Sequence, residues 1–183
     1  MAKKKSAKKS SVRSKTAKKP ANKKVAPIPA GYYTVTPYLV CREAAKAIEF
    51  YKKALDAKEK LRMPAPDGSI AHAELKIGNS VVMLGDENPA MGATAPPTVG
   101  GTASGLFIYT ANVDKAYAKA IAAGAKAEQP PTDMFWGDRY AKFSDPFGHK
   151  WSMATHIEDL SPKEMAKRGA EAMAQMAAAA GKP

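Results

Sequence analysis

The sequence predicts an α+β fold of two tandem βαβββ modules, with a disordered basic tail before them and a C-terminal helix after them. An amphipathic helical pattern occurs twice, each time after a β-rich segment and before further strand-like segments. The spacing repeats too: Ala44 lies 34 residues before the turn glycine Gly78, and Val113 lies 35 residues before Gly148. We therefore infer an internal duplication with an offset near 70 residues.

The N-terminal segment, residues 1–30, is predicted to be a disordered Lys-rich tail. Residues 1–24 contain ten lysines, Arg13 and no acidic residue, whereas the rest of the chain carries 18 basic and 17 acidic side chains. Such a segment has too little apolar surface to offset the entropy lost on folding. Its composition fits non-specific attraction to nucleic-acid phosphates, which would make the protein nucleoid-associated, and equally a solubilising extension.

Module one is expected over residues 32–88 of a folded domain that spans 31–160. It begins with a β-rich strand at 32–40, which the helix 42–58 follows with Ala44 and Tyr51 on its apolar stripe. The Asp67-Gly68 pair predicts a hairpin turn, and two further strands flank the turn at Gly78. Residues 89–104 are rich in Gly, Pro, Ala and Thr, which predicts a mobile linker without secondary structure.

Module two is expected over residues 105–156. It contains a strand at 105–111, a helix from Asn112, and two strands around the turn at 145–148, which reads Asp-Pro-Phe-Gly. Ser161, Pro162 and Glu164 then form a capping box that predicts a C-terminal helix over 161–180. Its methionine stripe offers apolar surface for docking onto the domain or a second copy.

Composition excludes some classes of protein. No apolar run approaches the 18 residues that a membrane helix requires, so no membrane partner is expected. The single cysteine, Cys41, cannot form an internal disulfide, which favours a cytoplasmic location. No nucleophile elbow and no phosphate-binding glycine loop is present, so serine-hydrolase and nucleotide-binding functions are not indicated.

The order and spacing of four sequence blocks resemble the vicinal oxygen chelate superfamily, which includes glyoxalase I, bleomycin-resistance proteins and extradiol dioxygenases. Within it they look like the PhnB-like branch, sometimes labelled 3-demethylubiquinone methyltransferase-like. The resemblance covers about residues 33–177 and implies modules that curl into a half-open barrel, with a cavity often completed across a homodimer. The four blocks are "TPYLVCREAAKAIEFYKKAL", "PDGSIAHAELKIGNSVVMLGDE", "WGDRYAKFSDPFGHKWSMATH" and "SPKEMAKR".

The resemblance also implies where a divalent metal would bind, because metal-dependent members take ligands from the first and last strand of each module. In this sequence those positions fall at 36–38, 82–84, Leu106 or Phe107, and Ser152. None is a strong ligand, and Ser152 stands where a glutamate is usual. No cofactor is therefore expected, and the metal mechanism of the family is not carried over.

An atypical site is the alternative that the residues leave open. His72 and Glu74 are two apart on one strand and share a face, so they form a candidate acid–base pair. With His149 or His156 they would supply two imidazoles and a carboxylate for a divalent metal. That arrangement would make the protein a glyoxalase- or dioxygenase-type lyase or oxidoreductase, so whether it is an enzyme stays open.

The primary expectation is a protein that binds a small, aromatic or carbonyl-bearing organic molecule in the barrel cavity. An apolar, aromatic lining with few polar groups suits such ligands. Arg139 is assigned two roles, either holding a ligand anion or forming a structural ion pair with Asp138, Asp145 or Glu74. The candidate ligand-binding residues are Tyr38, His72, Glu74, Met83, Phe107, Tyr109, Trp136, Arg139 and Trp151.

Overall fold

The structure is a computed structural model that describes residues 25–180. The prediction of a disordered tail falls mainly on residues 1–24, which lie outside this range. Residues 25–37 form an irregular arm that precedes the first strand.

Module one is a four-stranded sheet, sheet 1, covered on one face by a helix. Its helix contributes Ala44, Ile48, Phe50 and Tyr51 to the core, which confirms the predicted apolar stripe. The strand order is β1-β4-β3-β2, with β1 parallel to β4 and the other pairs antiparallel. The elements are β1 (Tyr38–Cys41), α1 (Ala44–Leu55), β2 (Lys58–Pro64), β3 (Ile70–Ile77) and β4 (Ser80–Asp86).

Module two repeats this architecture in sheet 2, whose order is β5-β8-β7-β6 with β5 parallel to β8. The side chain of Asn112 caps its helix by accepting a hydrogen bond from the backbone N–H of Lys115. The elements are β5 (Gly105–Tyr109), α3 (Val113–Ala122), β6 (Lys126–Asp133), β7 (Asp138–Ser144) and β8 (Lys150–His156).

The registers of the two sheets confirm the duplication. Tyr38 pairs with Met83 between β1 and β4, and Phe107 pairs with Ser152 between β5 and β8. Tyr38 and Phe107 are 69 positions apart, as are Met83 and Ser152. Equivalent strands therefore present equivalent positions, and residues of the two modules can be compared one by one.

The two modules meet through their helices and through the turn at 145–148. Tyr51 of α1 packs against Trp151 of β8 with ring centroids 5.5 Å apart, and Phe147 packs against Phe50. Each helix packs against one face of its own sheet. The two helix-covered faces are buried together in one shared core. We call the opposite face of each sheet its open face.

Three local features differ from the sequence-based prediction. The first strand begins only at Tyr38, not at 32. The linker is not featureless, because it contains a 3₁₀ turn (Pro89–Met91) and a short helix, α2 (Pro96–Val99), and the side chain of Glu87 accepts a hydrogen bond from the backbone N–H of Ala95. No segment of the sequence was assigned to strand β6, although the predicted βαβββ pattern includes such a strand.

The C-terminal helix, α4 (Pro162–Ala180), confirms the predicted element. The backbone N–H of Glu164 donates to the Ser161 hydroxyl at 3.2 Å, as the capping box requires. Met173 and Met176 are exposed on this helix. No helix within residues 25–180 is long and apolar enough to cross a membrane.

Candidate functional site

The open face of sheet 1 brings together four of the predicted ligand-binding residues. Strand alternation places them on the side of the sheet away from α1, because Leu39, Ala73 and Leu84, which alternate with them, are buried in the core. The four residues are Tyr38, His72, Glu74 and Met83.

Glu74 is the polar centre of this face. Its carboxylate accepts a hydrogen bond from the Tyr32 hydroxyl and lies 3.4 Å from His72 Nε2 and 3.6 Å from Lys60 Nζ. The hydrogen bond from Tyr32 is the main reason that the pKa of Glu74 lies below its ordinary value, and His72 and Lys60 lower it further. The lowered pKa makes Glu74 a weaker proton acceptor than an ordinary glutamate, and the predicted His72/Glu74 acid–base pair stays a prediction.

The arm that precedes β1 covers part of this face and forms a pocket with it. Lys60 Nζ stands 4.0 Å from the centroid of the Tyr32 ring, which fixes the arm against β2. The pocket has a volume of about 420 Å³, within the range of small-molecule sites. Its lining is Pro27, Ile28, Pro29, Tyr32, Tyr33, Thr34, Thr36, Glu74 and Met83.

Gly85 leaves room for the Tyr38 ring on the open face of sheet 1. A Cβ atom at Gly85 would lie 2.9 Å from the Tyr38 hydroxyl oxygen and 2.9 Å from the carbonyl oxygen of Ala71. Any larger residue would push the ring away from His72, whose ring centroid is 5.8 Å from that of Tyr38. The position of Tyr38 therefore depends on a glycine in β4, the strand that pairs with β1.

The open face of sheet 2 is an aromatic wall. Phe107 lies 5.0 Å from Tyr109 and 5.8 Å from Tyr140, and Trp136 lies 5.8 Å from Tyr140, all between ring centroids. Phe107 is 49 % exposed and Tyr109 is 67 % exposed. The Tyr140 and Ser152 hydroxyls are 2.7 Å apart and form a hydrogen bond.

A buried carboxylate organises one end of this wall. Asp138 accepts hydrogen bonds from the Tyr109 hydroxyl and from Trp136 Nε1, both at 3.1 Å, and its Oδ1 lies 2.8 Å from His156 Nδ1. The hydrogen bond to Asp138 is the main cause that raises the pKa of His156 above its ordinary value, with Asp159 contributing next. Asp138 thus fixes the orientation of an indole, a phenol and an imidazole at once.

The four positions at which the resemblance implies metal ligands form two register pairs. Tyr38 with Met83 and Phe107 with Ser152 are all on open faces, and their side chains do not make a cation site. The alternative ligand His149 is buried instead, with Nε2 3.6 Å from Cys41 Sγ and 3.2 Å from a backbone carbonyl oxygen. Within residues 25–180, no three His, Cys, Asp or Glu side chains are grouped as metal ligands would be.

Two residues that were predicted to bind the ligand, Arg139 and Trp151, lie on the helix-covered face of sheet 2. Their assignment to the ligand cavity is therefore corrected. Arg139 alternates with Asp138 and points toward α3, where its guanidinium binds Asp114 and Asp133 with N–O distances of 2.8 Å. It therefore has the structural role, but with partners other than those proposed. Trp151 is fully buried and stacks on Phe143 in the core.

The structure adds residues to the site that the sequence reasoning did not single out. Tyr140 and Lys142 alternate along β7 with the buried Ala141 and Phe143, a period-two pattern that could have placed them on the open face. Tyr32 and Lys60 gave no such signal, because their contacts with Glu74 depend on the path of the arm.

Comparison with known proteins matches residues 32–153 to the family model described as the glyoxalase/bleomycin resistance protein/dioxygenase superfamily. An uncharacterized protein of Mycobacterium bovis is 41 % identical over 134 residues, which are 72 % of this chain and 88 % of the relative. Protein YjdN of Escherichia coli is 30 % identical over 105 residues, 56 % of this chain and 69 % of its own length.

Solved structures share the fold. TioX from Micromonospora sp. ML1 superposes with a TM-score of 0.56 at 28 % identity, over 67 % of this chain and 97 % of TioX. The fosfomycin resistance protein FosX from Listeria monocytogenes, in a complex with Mn(II) and sulfate, gives a TM-score of 0.54 over 74 % of this chain and 96 % of FosX. FosX is 13 % identical, so that likeness concerns the fold alone.

Proposed function

Because the chain belongs to the glyoxalase/bleomycin resistance protein/dioxygenase superfamily, we propose that it binds a small planar organic molecule between two open sheet faces, without a catalytic metal. The observation that carries the proposal is the aromatic wall of sheet 2 left open to solvent. Phe107 is about half exposed and Tyr109 is two-thirds exposed, although aromatic residues normally bury most of their surface. We further propose that the chain belongs to the PhnB-like branch of this superfamily.

The cavity would be completed by a second copy of the chain. Within one chain the modules meet through their helices, so each open face is left uncovered by the other sheet, and Tyr38 is 49 % exposed on sheet 1. Pairing of sheet 1 of one protomer with sheet 2 of its partner would bury both faces and enclose a ligand. A homodimer made in this way has two equivalent cavities by symmetry.

Light scattering after size exclusion tests the assembly. We expect a dimer mass for the full chain and a shift toward monomer in Phe107→Lys, which places a charge on the apolar face. Val99→Lys is the matched control, because Val99 is 62 % exposed on α2, outside either open face. A monomer at all concentrations would contradict a cavity shared between protomers.

Binding is tested with a neutral aromatic probe, 2-naphthalenemethanol, by isothermal titration calorimetry. We expect saturable binding that weakens about tenfold in Tyr109→Ala, because a ring contact contributes roughly 0.5–1.5 kcal/mol beyond the area it buries. Val99→Ala should leave the affinity unchanged. Absence of saturable binding would overturn the proposal.

Metal analysis of the purified protein separates binding from metal-dependent catalysis. We expect less than about one tenth of an equivalent of any divalent transition metal per chain, since Tyr38, Met83, Phe107 and Ser152 are poor ligands. A stoichiometric ion that disappears in His72→Ala would support the metal-dependent lyase or oxidoreductase instead.

A further inference from the structure

We propose that the open face of sheet 2 selects an aromatic carboxylate, and that the Lys142 ammonium group is the group that recognises its charge. The inference rests on the proposed function, since it names the class of ligand for the same cavity. Lys142 is not among the residues that the sequence predicts to bind the ligand.

Lys142 belongs to a row of three side chains that crosses the open face. Phe107 on β5 pairs with Ser152 on β8, and Ser152 pairs with Lys142 on β7. Register partners in neighbouring strands point to the same face, and adjacent strands are about 4.8 Å apart. The row therefore spans about 10 Å, with an aromatic ring at one end, a hydroxyl in the middle and an ammonium group at the other end.

The charge of Lys142 is only partly neutralised. Among residues 25–180, its one ion pair is with Glu128, at 3.8 Å, and its side chain is 44 % exposed. Glu128 is already engaged, because it pairs closely with Lys150 and accepts a hydrogen bond from the Ser144 hydroxyl. Lys150 is the main cause of the lowered pKa of Glu128, and Lys142 is the smallest. Two lysines thus share one carboxylate, which leaves a net positive charge beside the aromatic wall.

The middle of the row can donate a hydrogen bond to an anion. The Tyr140 and Ser152 hydroxyls are 2.7 Å apart, so one donates to the other. The hydroxyl that accepts in this pair keeps its own proton, which is available to a ligand oxygen. A carboxylate in front of Ser152 would therefore meet one hydroxyl proton and the Lys142 ammonium group.

The aromatic end of the row suits a flat ring. The Phe107 and Tyr140 rings are tilted by 32° at 5.8 Å, and Tyr109 extends the same wall. A ligand ring on Phe107 would direct a carboxylate substituent along the row toward Lys142. Ring stacking and a charge-assisted hydrogen bond would then act on one molecule.

The equivalent row of sheet 1 has the opposite charge. There Tyr38 pairs with Met83, and Met83 pairs with Glu74. Glu74 occupies the row position that Lys142 occupies in sheet 2, and it is ionised. Glu74 already pairs with Lys60, 3.6 Å away, so the row of sheet 1 offers no excess positive charge to a ligand carboxylate, whereas the row of sheet 2 does.

The test compares 2-naphthoate with the neutral 2-naphthalenemethanol by calorimetry on the full chain. We expect naphthoate to bind about tenfold more tightly, the usual size of a charge-assisted hydrogen bond. Lys142→Met should abolish this difference by weakening the binding of naphthoate more than that of the neutral probe, and Lys142→Arg should retain the difference. Lys115→Met is the matched control, because Lys115 is exposed on α3, which lies on the other side of sheet 2 from the open face.

Glu128→Gln is a second test variant. Its expected result is a gain in affinity, which misfolding would not produce. It removes the carboxylate that competes for Lys142, so we expect naphthoate to bind several times more tightly than to the wild type. If Lys142→Met keeps the preference for naphthoate, or if the wild type binds both probes equally, the inference is wrong while the proposed function stands. If neither probe binds, both are wrong.

Discussion

Asp145 is buried where the two modules meet, and it accepts four hydrogen bonds. The Tyr51 hydroxyl donates at 2.6 Å and Trp151 Nε1 at 2.9 Å, and the backbone N–H groups of Phe147 and His149 donate at 2.9 Å. The same side chain therefore shapes the turn at 145–148 and ties α1 of module one to β8 of module two. Burial, and then the charge of Asp145, raise the pKa of Tyr51 well above its ordinary value, so the phenol stays protonated as a donor.

Replacement of Asp145 should destabilise the whole domain. Asp145→Ala leaves four buried donors without an acceptor, and each such group costs about 1–3 kcal/mol. We expect a loss of about 4 kcal/mol or more in the free energy of unfolding, measured by urea denaturation. Tyr51→Phe removes one donor and leaves the acceptor satisfied, so it should cost only about 1 kcal/mol. Equal losses in the two variants would contradict the central role of Asp145.

The pKa values of two histidines should be shifted in opposite directions from the ordinary value. The hydrogen bond to Asp138 raises the pKa of His156, whereas burial lowers the pKa of His149 despite Asp145 nearby. The contribution of His156 to stability is complete below its unfolded pKa, about 6.5, and is lost as the pH rises through its folded pKa. His149 contributes stability above 6.5 that is lost as the pH falls through its folded pKa.

Imidazole resonances followed by NMR against pH check these shifts. We expect the midpoint of His156 to lie above 6.5, and Asp138→Asn to move it down because the carboxylate is lost. The midpoint of His149 should lie below 6.5 and should not respond to Asp138→Asn. A His156 midpoint at or below 6.5 in the wild type would show that the pair with Asp138 is not formed.

At the scale of elements, the three long helices and the turns could be predicted from the sequence, whereas the proline-containing edge strand β6 could not. The apolar stripe of α1, the Ser161 cap of α4 and the turn at 145–148 depend on neighbouring residues, which a sequence displays. Strand β6 contains Pro130 and Pro131 and was missed, because proline is tolerated only on an edge strand and at irregularities of register, both of which occur there.

The candidate site was predictable only in part, because some of its contacts join residues that are far apart in sequence. Alternation along strands placed His72 and Glu74 on one face, and the repeat located Phe107 and Tyr109. The assignment of Arg139 to the cavity was wrong, because a shift of one residue along β7 moves a side chain to the other face. Glu74 and Tyr32 are 42 residues apart in sequence, so no local pattern predicts their hydrogen bond.

The turn at 134–138 connects β6 to β7, and its glycine, Gly137, binds the backbone of the segment that follows β8. Gly137 has a φ of +91°, its carbonyl oxygen accepts from the backbone N–H groups of Ile157 and Glu158, and a Cβ atom there would lie 2.3 Å from the carbonyl oxygen of Glu158. Gly137→Ala should therefore cost about 3 kcal/mol, from backbone strain and steric overlap together.

Gly124→Ala is the matched control, because Gly124 also has a positive φ, +110°, with no atom within 4 Å of an added Cβ. It should cost only about 1 kcal/mol in the same denaturation experiment. The difference between the two variants measures the contact with Glu158. Gly137→Ala should also broaden the Trp136 and His156 resonances, because both side chains are held by Asp138 at this turn.

At the scale of the whole molecule, charge is distributed very unevenly along the chain. Residues 1–24 carry eleven basic side chains and no acidic one, and the remaining residues are nearly neutral, with 18 basic and 17 acidic side chains. A nearly neutral domain is thus joined to a polycation. We propose that any affinity for nucleic acid comes from residues 1–24 through phosphate contacts without base recognition.

Retention on duplex DNA measured against salt concentration tests this division. Each phosphate that the lysines neutralise contributes about −0.9 to the slope of log affinity against log salt, so about six contacts give a slope near −5. We expect deletion of residues 1–24 to abolish retention, and a chain with the same tail residues in scrambled order to retain DNA as the wild type does. Calorimetry with 2-naphthalenemethanol should give the same affinity for all three proteins, because the proposed ligand contacts lie in sheets 1 and 2. Retention that survives the deletion would instead place a nucleic-acid surface on the folded domain.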